Sequence, residues 1–266
     1  MEPEEVVRQH YSGDDLEQRV FSALRSSGAD PESLRLTDLS GIDHLHAGSL
    51  PATEHMLARL GLETDHRLLD VGCGIGGTAR MAATRFGCKV KGVDLSPDFI
   101  GLARSLTDRL GLGELTEFDV ASATELPYPD SSFDRAVMCH VGMNLPDKAS
   151  VFAEVRRVLE PGGLFAVYDQ MILAPGQLTF PLPWAEDPSS SFVETREGYA
   201  ELLAAAGFEV EVDEDRTAAA AATPPAPDAL NPGHLFGAGF QERIGNNIAA
   251  AMAGTLGAVL MVGRAA

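Results

Sequence analysis

The chain reads as a doubly wound α/β fold, a mostly parallel seven-stranded sheet with helices on both faces. Three observations lead there. Residues Leu68 to Ser96, LLDVGCGIGGTARMAATRFGCKVKGVDLS, spell strand, glycine loop, helix, strand and acid in that order. Apolar β-rich runs then alternate with amphipathic segments to the end of the chain. A helical stretch over residues 1–65 precedes this core, residues 66–266, and a proline-rich lid interrupts it at 173–193.

The opening MEPEEVV is acidic and does not read as a signal peptide. Tyr11 follows in YSGDDL, at a helix edge. Asp14 to Ser26 carries Leu16, Val20, Phe21 and Leu24 at helical spacing. The segment LTDLSGIDHLHAGSL reads as a loop. In it His44 and His46 flank one leucine, beside Asp43 and Gly48. These histidines roof a ligand pocket, bind a metal, or lie at the surface; no third ligand stands at zinc-like spacing. A second helix covers Leu50 to Leu60.

The core opens with Leu68-Leu69-Asp70-Val71, a short buried strand. Gly72, Gly74, Gly76 and Gly77 follow, so the backbone turns sharply and approaches a ligand with no Cβ in the way. A helix from Thr78 to Phe86 stops at Gly87. Its first turn offers free N–H groups to an anionic group. The run Val90 to Val93 ends on Asp94, an acid placed to accept hydrogen bonds from ribose hydroxyls. The glycines run G-x-G-x-G rather than the dinucleotide spacing G-x-G-x-x-G, and Asp70 stands just before them.

Ser96 is a good N-cap and Pro97 suits the first helical position. Ile100, Ala103, Leu106 and Leu110 form one apolar face. Leu115 to Val120 is the third strand and Phe133 to Cys139 the fourth. The fourth runs into His140, Val141, Gly142, Met143 and Asn144. Ligands of open α/β sheets lie beyond the carboxyl ends of the strands, which brings Cys139 and His140 to the site. His140 is the candidate general base, since an imidazole titrates near neutrality; the other reading is a histidine that only packs or hydrogen-bonds the ligand. Cys139 contributes backbone.

Asp147 to Leu159 is an amphipathic helix that stops at Glu160-Pro161-Gly162-Gly163. LFAVYDQMIL is the fifth strand. Asp169 near its end meets substrate or is solvated. Within the 173–193 interruption, Phe180 and Trp184 are apolar anchors. A helix from Thr195 to Ala206 and a sixth strand from Phe208 to Val212 follow. Thr217 to Gly233 is low-complexity. A helix from about Phe236 to Ala253 leads to the last strand, Thr255 to Gly263.

The stretch LLDVGCGIGG followed by VDLS resembles the class I S-adenosylmethionine-dependent methyltransferases. The wider chain is similar to a bacterial small-molecule branch of that family. The resemblance implies a Rossmann-like fold, with the last strand antiparallel at the sheet edge, and S-adenosyl-L-methionine as cofactor. Asp70, Gly72, Gly74 and Gly76 then wrap its amino-acid end, and Asp94 and Leu95 meet its ribose side. The adenine position falls on Ser122 where the family usually has an acid, with Ala123 supplying the N–H and Asp119 three residues too early. Cys139 and His140 flank the methionine part. Tyr11, His46, Asn144 and Trp184 face the acceptor. Methyl transfer to oxygen, nitrogen or carbon of a small molecule, in specialised metabolism, is the activity implied. A cyclase or a non-catalytic protein on the same fold remains open, as does, more remotely, a nicotinamide-dependent reductase.

Composition bounds the partners. The net charge of −19 argues against a nucleic-acid partner, which needs a basic surface. No apolar run approaches the roughly 18 residues of a membrane span. Cys73, Cys88 and Cys139 lack metal spacing and cannot all pair, so a reducing cytoplasm and no metal are expected.

Overall fold

The computed structural model describes residues 15–223, 230–237 and 239–266. Seven strands form one sheet: β1 (Arg67–Val71), β2 (Lys89–Asp94), β3 (Thr116–Val120), β4 (Phe133–Cys139), β5 (Leu159–Ile172), β6 (Phe208–Asp215) and β7 (Leu256–Ala265). Their order is β3-β2-β1-β4-β5-β7-β6. Strands β1 to β5 pair in parallel, while β7 runs antiparallel to both β5 and β6.

This corrects one expectation. β7 is antiparallel but lies inside the sheet, and β6 takes the edge. The residues explain why. LGAVLMVG is apolar throughout and is buried on both faces, whereas FEVEVDED exposes every second residue. An apolar strand needs cover on both sides; an alternating acidic one tolerates an edge and blunts it against pairing.

Helices cover both faces. α1 (Leu16–Ser26), α2 (Ser49–Arg59), α3 (Gly77–Phe86) and α4 (Pro97–Arg109) lie on or beside one face; α5 (Lys148–Val158) and α6 (Arg196–Ala205) lie on the other. α7 (Phe240–Met252) leads into β7. Met56 and Leu57 of α2 and Ala79, Ala82 and Ala83 of α3 pack on Leu68, Val90 and Val137. Val151, Phe152 and Val155 of α5 and Tyr199 and Leu203 of α6 pack on Leu69, Val71 and Phe165. The small alanines of α3 let that helix sit close to the sheet. Ser96 caps α4 by accepting from Phe99 N–H, with Pro97 at the first position.

Four further differences are local. The 36–43 segment is helical, with a 3-10 turn over Leu36–Leu39 and a helical turn over Ser40–Asp43. Glu160 to Gly163 belongs to β5 as a bulge, since Phe133 pairs with Leu159 and Arg135 with Leu164. The helix expected from Phe236 is split into Gly233–Phe236 and α7, because Gly237 takes φ 84°. The low-complexity run begins with a helical turn, Thr217–Ala221; its residues 224–229 lie outside the described residues.

A buried ion pair fastens the N-terminal segment to the core. Arg80 of α3 is fully buried, and its guanidinium pairs with Asp43, whose side chain is 3% exposed. Arg80 Nη1 also donates to the carbonyl of Ile75 at 2.7 Å and to Thr107 Oγ1 at 3.2 Å. The loop between β1 and α3 is thereby held from beneath. Its glycines differ in role. A Cβ on Gly72, at φ 69°, would press into Val141, standing 2.8 Å from Cγ1 and nearer to Cγ2. A Cβ on Gly74 would meet only Phe99, at 4.0 Å. Gly76 is sealed, since its Cβ would stand 2.7 Å from Phe118 Cζ.

Two outcomes follow for stability. Arg80→Ala strands a buried carboxylate and should cost about 3–5 kcal/mol in urea unfolding; a cost below about 1 kcal/mol would show Asp43 to be solvated in the variant. Gly72→Ala should destabilise more than Gly74→Ala, by about 1–3 kcal/mol, because only the first overpacks Val141. The reverse order would contradict the loop geometry.

Candidate active site

A cavity opens at the carboxyl ends of β1, β2 and β4. Its wall includes Asp70, Gly72, Gly74, Asp94, Leu95, Ser122, Ala123, Cys139, His140, His46, Asn144 and Trp184. Gly76 does not line it, for the packing reason given above; Gly77 and Thr78 do. Tyr11 lies outside the described residues.

The first wall is polar. Gly72 and Cys73 donate their N–H groups to the Val93 carbonyl, at 2.8 and 2.9 Å. Asp94 then bridges two segments: Oδ2 accepts from Gly74 N–H and Oδ1 from Ser96 N–H, both at 2.9 Å. Burial raises the Asp94 carboxyl above its ordinary pKa, against these N–H bonds. Asp70 is 1% exposed, and its Oδ2 is buried with no hydrogen-bond partner. Burial, and next the Asp94 charge, push Asp70 up to about 7. A buried carboxylate oxygen without a donor is costly in isolation and fits a ligand that brings one.

Beyond β3, Ala121 to Thr124 form the next wall. Ser122 Oγ accepts from Thr124 N–H at 3.1 Å and shares a hydrogen bond with Thr124 Oγ1 at 2.7 Å. Asp119 is off the cavity wall; it accepts from the Tyr128 hydroxyl at 2.9 Å.

The turn after β4 is bent sharply. His140 takes φ 56°, a left-handed conformation uncommon for a residue with a side chain. Its N–H donates to the Tyr168 carbonyl at 2.8 Å, and Gly142–Asn144 form a 3-10 turn. The His140 ring lies 5.5 Å from Tyr168 and 5.6 Å from His46, centroid to centroid, and its Nε2 is buried without a partner. Burial, with His46 beside it, holds His140 well below the usual imidazole range. The expectation of a histidine titrating near neutrality is therefore corrected: this imidazole is neutral at working pH.

His44 and His46 are also held down to about 4, by burial first. Their bonds fix the tautomers. The Ala47 carbonyl only accepts, so His46 Nδ1, 3.2 Å away, carries the proton. Neutral His46 then accepts at Nε2 from Thr53 Oγ1, at 2.7 Å, and Thr53 accepts from His44 Nδ1, at 3.0 Å. Both His46 nitrogens are used inside the protein, so it meets the cavity through its ring and not as a metal ligand. Among the described residues, Glu63, Asp65 and His66 come nearest to a metal cluster, and none of them lines the cavity.

The far wall is apolar. Met143, Leu145, Pro183, Trp184, Phe236 and Phe240 contribute to it. Trp184 is 4% exposed and donates Nε1–H to Ser191 Oγ at 2.9 Å. Phe236 stacks on Phe240 at 4.6 Å. Sequence reasoning missed these phenylalanines as site residues because nothing local to residues 236–240 shows that the segment reaches the cavity. Asp169, expected to meet substrate or solvent, does neither: it is fully buried off the cavity wall, where Oδ2 accepts from Gly142 N–H at 2.9 Å and the Tyr199 hydroxyl at 2.8 Å. An acid inside the apolar run LFAVYDQMIL was the available signal.

Comparison with known proteins agrees with this geometry. Residues 69–167 match the family described as methyltransferase domain. Methyltransferase GfsG of Streptomyces halstedii is 38% identical over 135 residues, 51% of this chain and 49% of that protein. Phosphoethanolamine N-methyltransferase 1 of Zea mays is 31% identical over 191 residues, 69% of this chain and 36% of that protein. The chain spans about half or less of the length of these curated relatives. Among solved structures, a geranyl diphosphate methyltransferase in complex with GPP and sinefungin superposes with a TM-score of 0.75 at 21% identity, covering 100% of this chain and 99% of that one. The [4+2]-cyclase SpnF superposes with a TM-score of 0.70 at 23% identity, covering 99% and 96%. The fold is thus shared beyond any one activity. Residues 69–167 thus carry a methyltransferase domain, on the fold of the class I S-adenosylmethionine-dependent methyltransferases.

Proposed function

We propose that this protein binds S-adenosyl-L-methionine and directs its methyl group to a small, largely apolar acceptor. The observation that carries the reading is the pair of carboxylates at the glycine loop. Asp94 is held across the loop, and Asp70 is buried with an oxygen free for a donor. That pair suits a ligand with ribose hydroxyls at one end and an ammonium at the other.

When bound, the cofactor supplies an electrophilic methyl on a sulfonium. The residues supply the rest. Asp94 accepts from the ribose, and Leu95 lies beside it. Asp70 accepts from the ammonium, with the backbone at Gly72 and Gly74 close by. Ser122 and Ala123 offer a hydroxyl and an N–H to the base. Cys139 and His140 stand at the junction of the polar and apolar walls, where attack takes place. His140, kept neutral, accepts the proton that an acceptor hydroxyl or amine releases. His46, Asn144 and Trp184 shape the acceptor side, which excludes water from the reacting groups. Residues 173–193 act as its lid and the described N-terminal residues 15–65 as its cap.

The acceptor is a small molecule rather than a nucleic acid, in keeping with the net charge of −19. No described helix is long and apolar enough to cross a membrane. The three cysteines are free, which suits a cytoplasmic protein. The SpnF likeness, at 23% identity, supports the fold alone, so cyclisation is the rival reading. The relatives above 30% identity are methyltransferases by name and favour transfer. Labelled cofactor incubated with a metabolite extract separates the two: label in an acceptor supports transfer, and an unlabelled isomerised product supports cyclisation.

Binding should depend on Asp94 and Asp70 in different ways. Asp94→Ala should raise the cofactor Kd about ten- to a hundredfold by calorimetry, the loss of charge-assisted bonds. An unchanged Kd would count against the ribose assignment. Asp70 binds an ammonium only when ionised, so the Kd should rise as pH falls through about 7. Asp70→Asn should bind weakly with no such slope; a variant that keeps the slope would remove Asp70 from the site.

His140→Gln should lower saturated turnover about 10²-fold or more while the cofactor Kd changes little. Turnover that survives while affinity collapses would make His140 a binding residue.

A further inference from the structure

The strongest unassigned feature is the buried cluster beneath the His140 turn. Asp169 of β5 presents Oδ2 to Gly142 N–H at 2.9 Å and to the Tyr199 hydroxyl at 2.8 Å. Its Oδ1 is buried with no partner. The packing leaves no room for a side chain on the turn, because a Cβ on Gly142 would overlap both Tyr199 Oη and Asp169 Oδ2. Lys148 of α5 completes the cluster. It is 7% exposed, donates to the Leu145 carbonyl at 2.9 Å and to that of Phe192, and lies 5.9 Å from the Tyr199 ring centroid. Phe192 N–H in turn donates to the Met143 carbonyl at 2.9 Å. One cluster therefore ties both ends of the 140–145 turn and the end of the 173–193 segment.

We propose that Asp169 is a positioning residue: with Tyr199 it latches the left-handed turn that aims His140 and sets the Met143–Leu145 wall. This rests on the reading of His140 as the group beside the reacting atoms. The latch is needed because His140 sits at φ 56°, a backbone state that a residue with a Cβ leaves unless its neighbours hold it. Two N–H anchors hold it here, His140 to Tyr168 and Gly142 to Asp169, from adjacent residues of one strand. The first is an ordinary backbone bond. The second ends on a side chain, so its strength depends on the charge of that side chain.

An ionised carboxylate accepts both donors and is the stronger acceptor. A protonated one either points its O–H from Oδ1, where the structure gives no acceptor, or carries it on Oδ2 and gives up the bond that Tyr199 donates. The latch therefore tightens as Asp169 ionises. Burial pushes that ionisation up to about 7. The charged and titratable groups facing it are Tyr199 from α6, Lys148 from α5 and Cys139 at the end of β4; Glu194, before α6, acts on Tyr199 and Lys148. Lys148 favours the ionised form, and burial of the whole cluster opposes it.

The test needs no acceptor. Backbone hydrogen exchange of residues 139–145 is followed by mass spectrometry from pH 6 to 8, corrected for intrinsic rate, in wild type, Asp169→Asn and Tyr199→Phe. The His140 ring resonances, identified by their loss in His140→Gln, are followed in the same range. In wild type, protection of the turn should rise through about pH 7, and the His140 resonances should shift with it although His140 stays neutral. In Asp169→Asn both steps should vanish and exchange at pH 8 should be about tenfold faster, confined to the turn. Tyr199→Phe should keep the step with weaker protection. S-adenosylhomocysteine titration, run in parallel, reports the cofactor site separately, so a failed cofactor reading is told apart from a failed latch. Unchanged exchange and an unchanged pH step in Asp169→Asn overturn the proposal. Loss of protection spread over the whole sheet in both variants also overturns it, because the cluster then holds the fold and not the turn.

Discussion

The structure depends on a carboxylate that joins two segments at the carboxyl end of the sheet. Asp94 accepts from the glycine loop after β1 and from the first residues before α4, at 2.9 Å each. These bonds fix the loop at a set height above the strand ends. They also occupy the inner lone pairs of Asp94 and leave the group at the cavity wall. The buried Arg80–Asp43 pair supports the same loop from below and ties it to the N-terminal segment. Loop, acid and support are thus one unit, and the site is built before a ligand arrives.

Charge divides the site. At the glycine loop, Asp70 and Asp94 concentrate negative potential in a buried place, and the cost appears as their raised pKa values. A cationic ligand relieves that cost. On the opposite side, the described wall is made of Met143, Trp184, phenylalanines and imidazoles kept neutral by burial. On the proposed reading, a neutral imidazole beside a cationic methyl donor avoids like-charge repulsion, at the cost of being a weaker base. The polar and apolar walls meet at His140, on a turn strained at its backbone and held from below by Asp169.

Much of this was legible in the sequence because it is local. The β1–α3–β2 unit declares itself in twenty-nine consecutive residues, from Leu68 to Ser96, through glycine spacing, an N-cap and alternating apolar runs. The helix ends at Gly87 and Ser96 fall where their caps require. What was not legible is long-range. The place of β7 inside the sheet is decided by which strand can bear an exposed face, a comparison between segments 41 residues apart at their nearest ends, Asp215 and Leu256. Asp169 and Tyr199 are thirty positions apart, and nothing in either neighbourhood announces their bond. The depressed pKa of His140 comes from burial by Tyr168 and His46, which reach it from different parts of the chain. Gly76 looked like its neighbours, yet Phe118, brought in by β3, makes it a packing glycine.

The most direct test of the central claim is a crystal structure with S-adenosylhomocysteine bound. The account predicts ribose hydroxyls on Asp94, the amino group on the free oxygen of Asp70, and the thioether facing His140. A ligand seated away from both carboxylates, or protein crystals that exclude it at saturating concentration, would contradict the account.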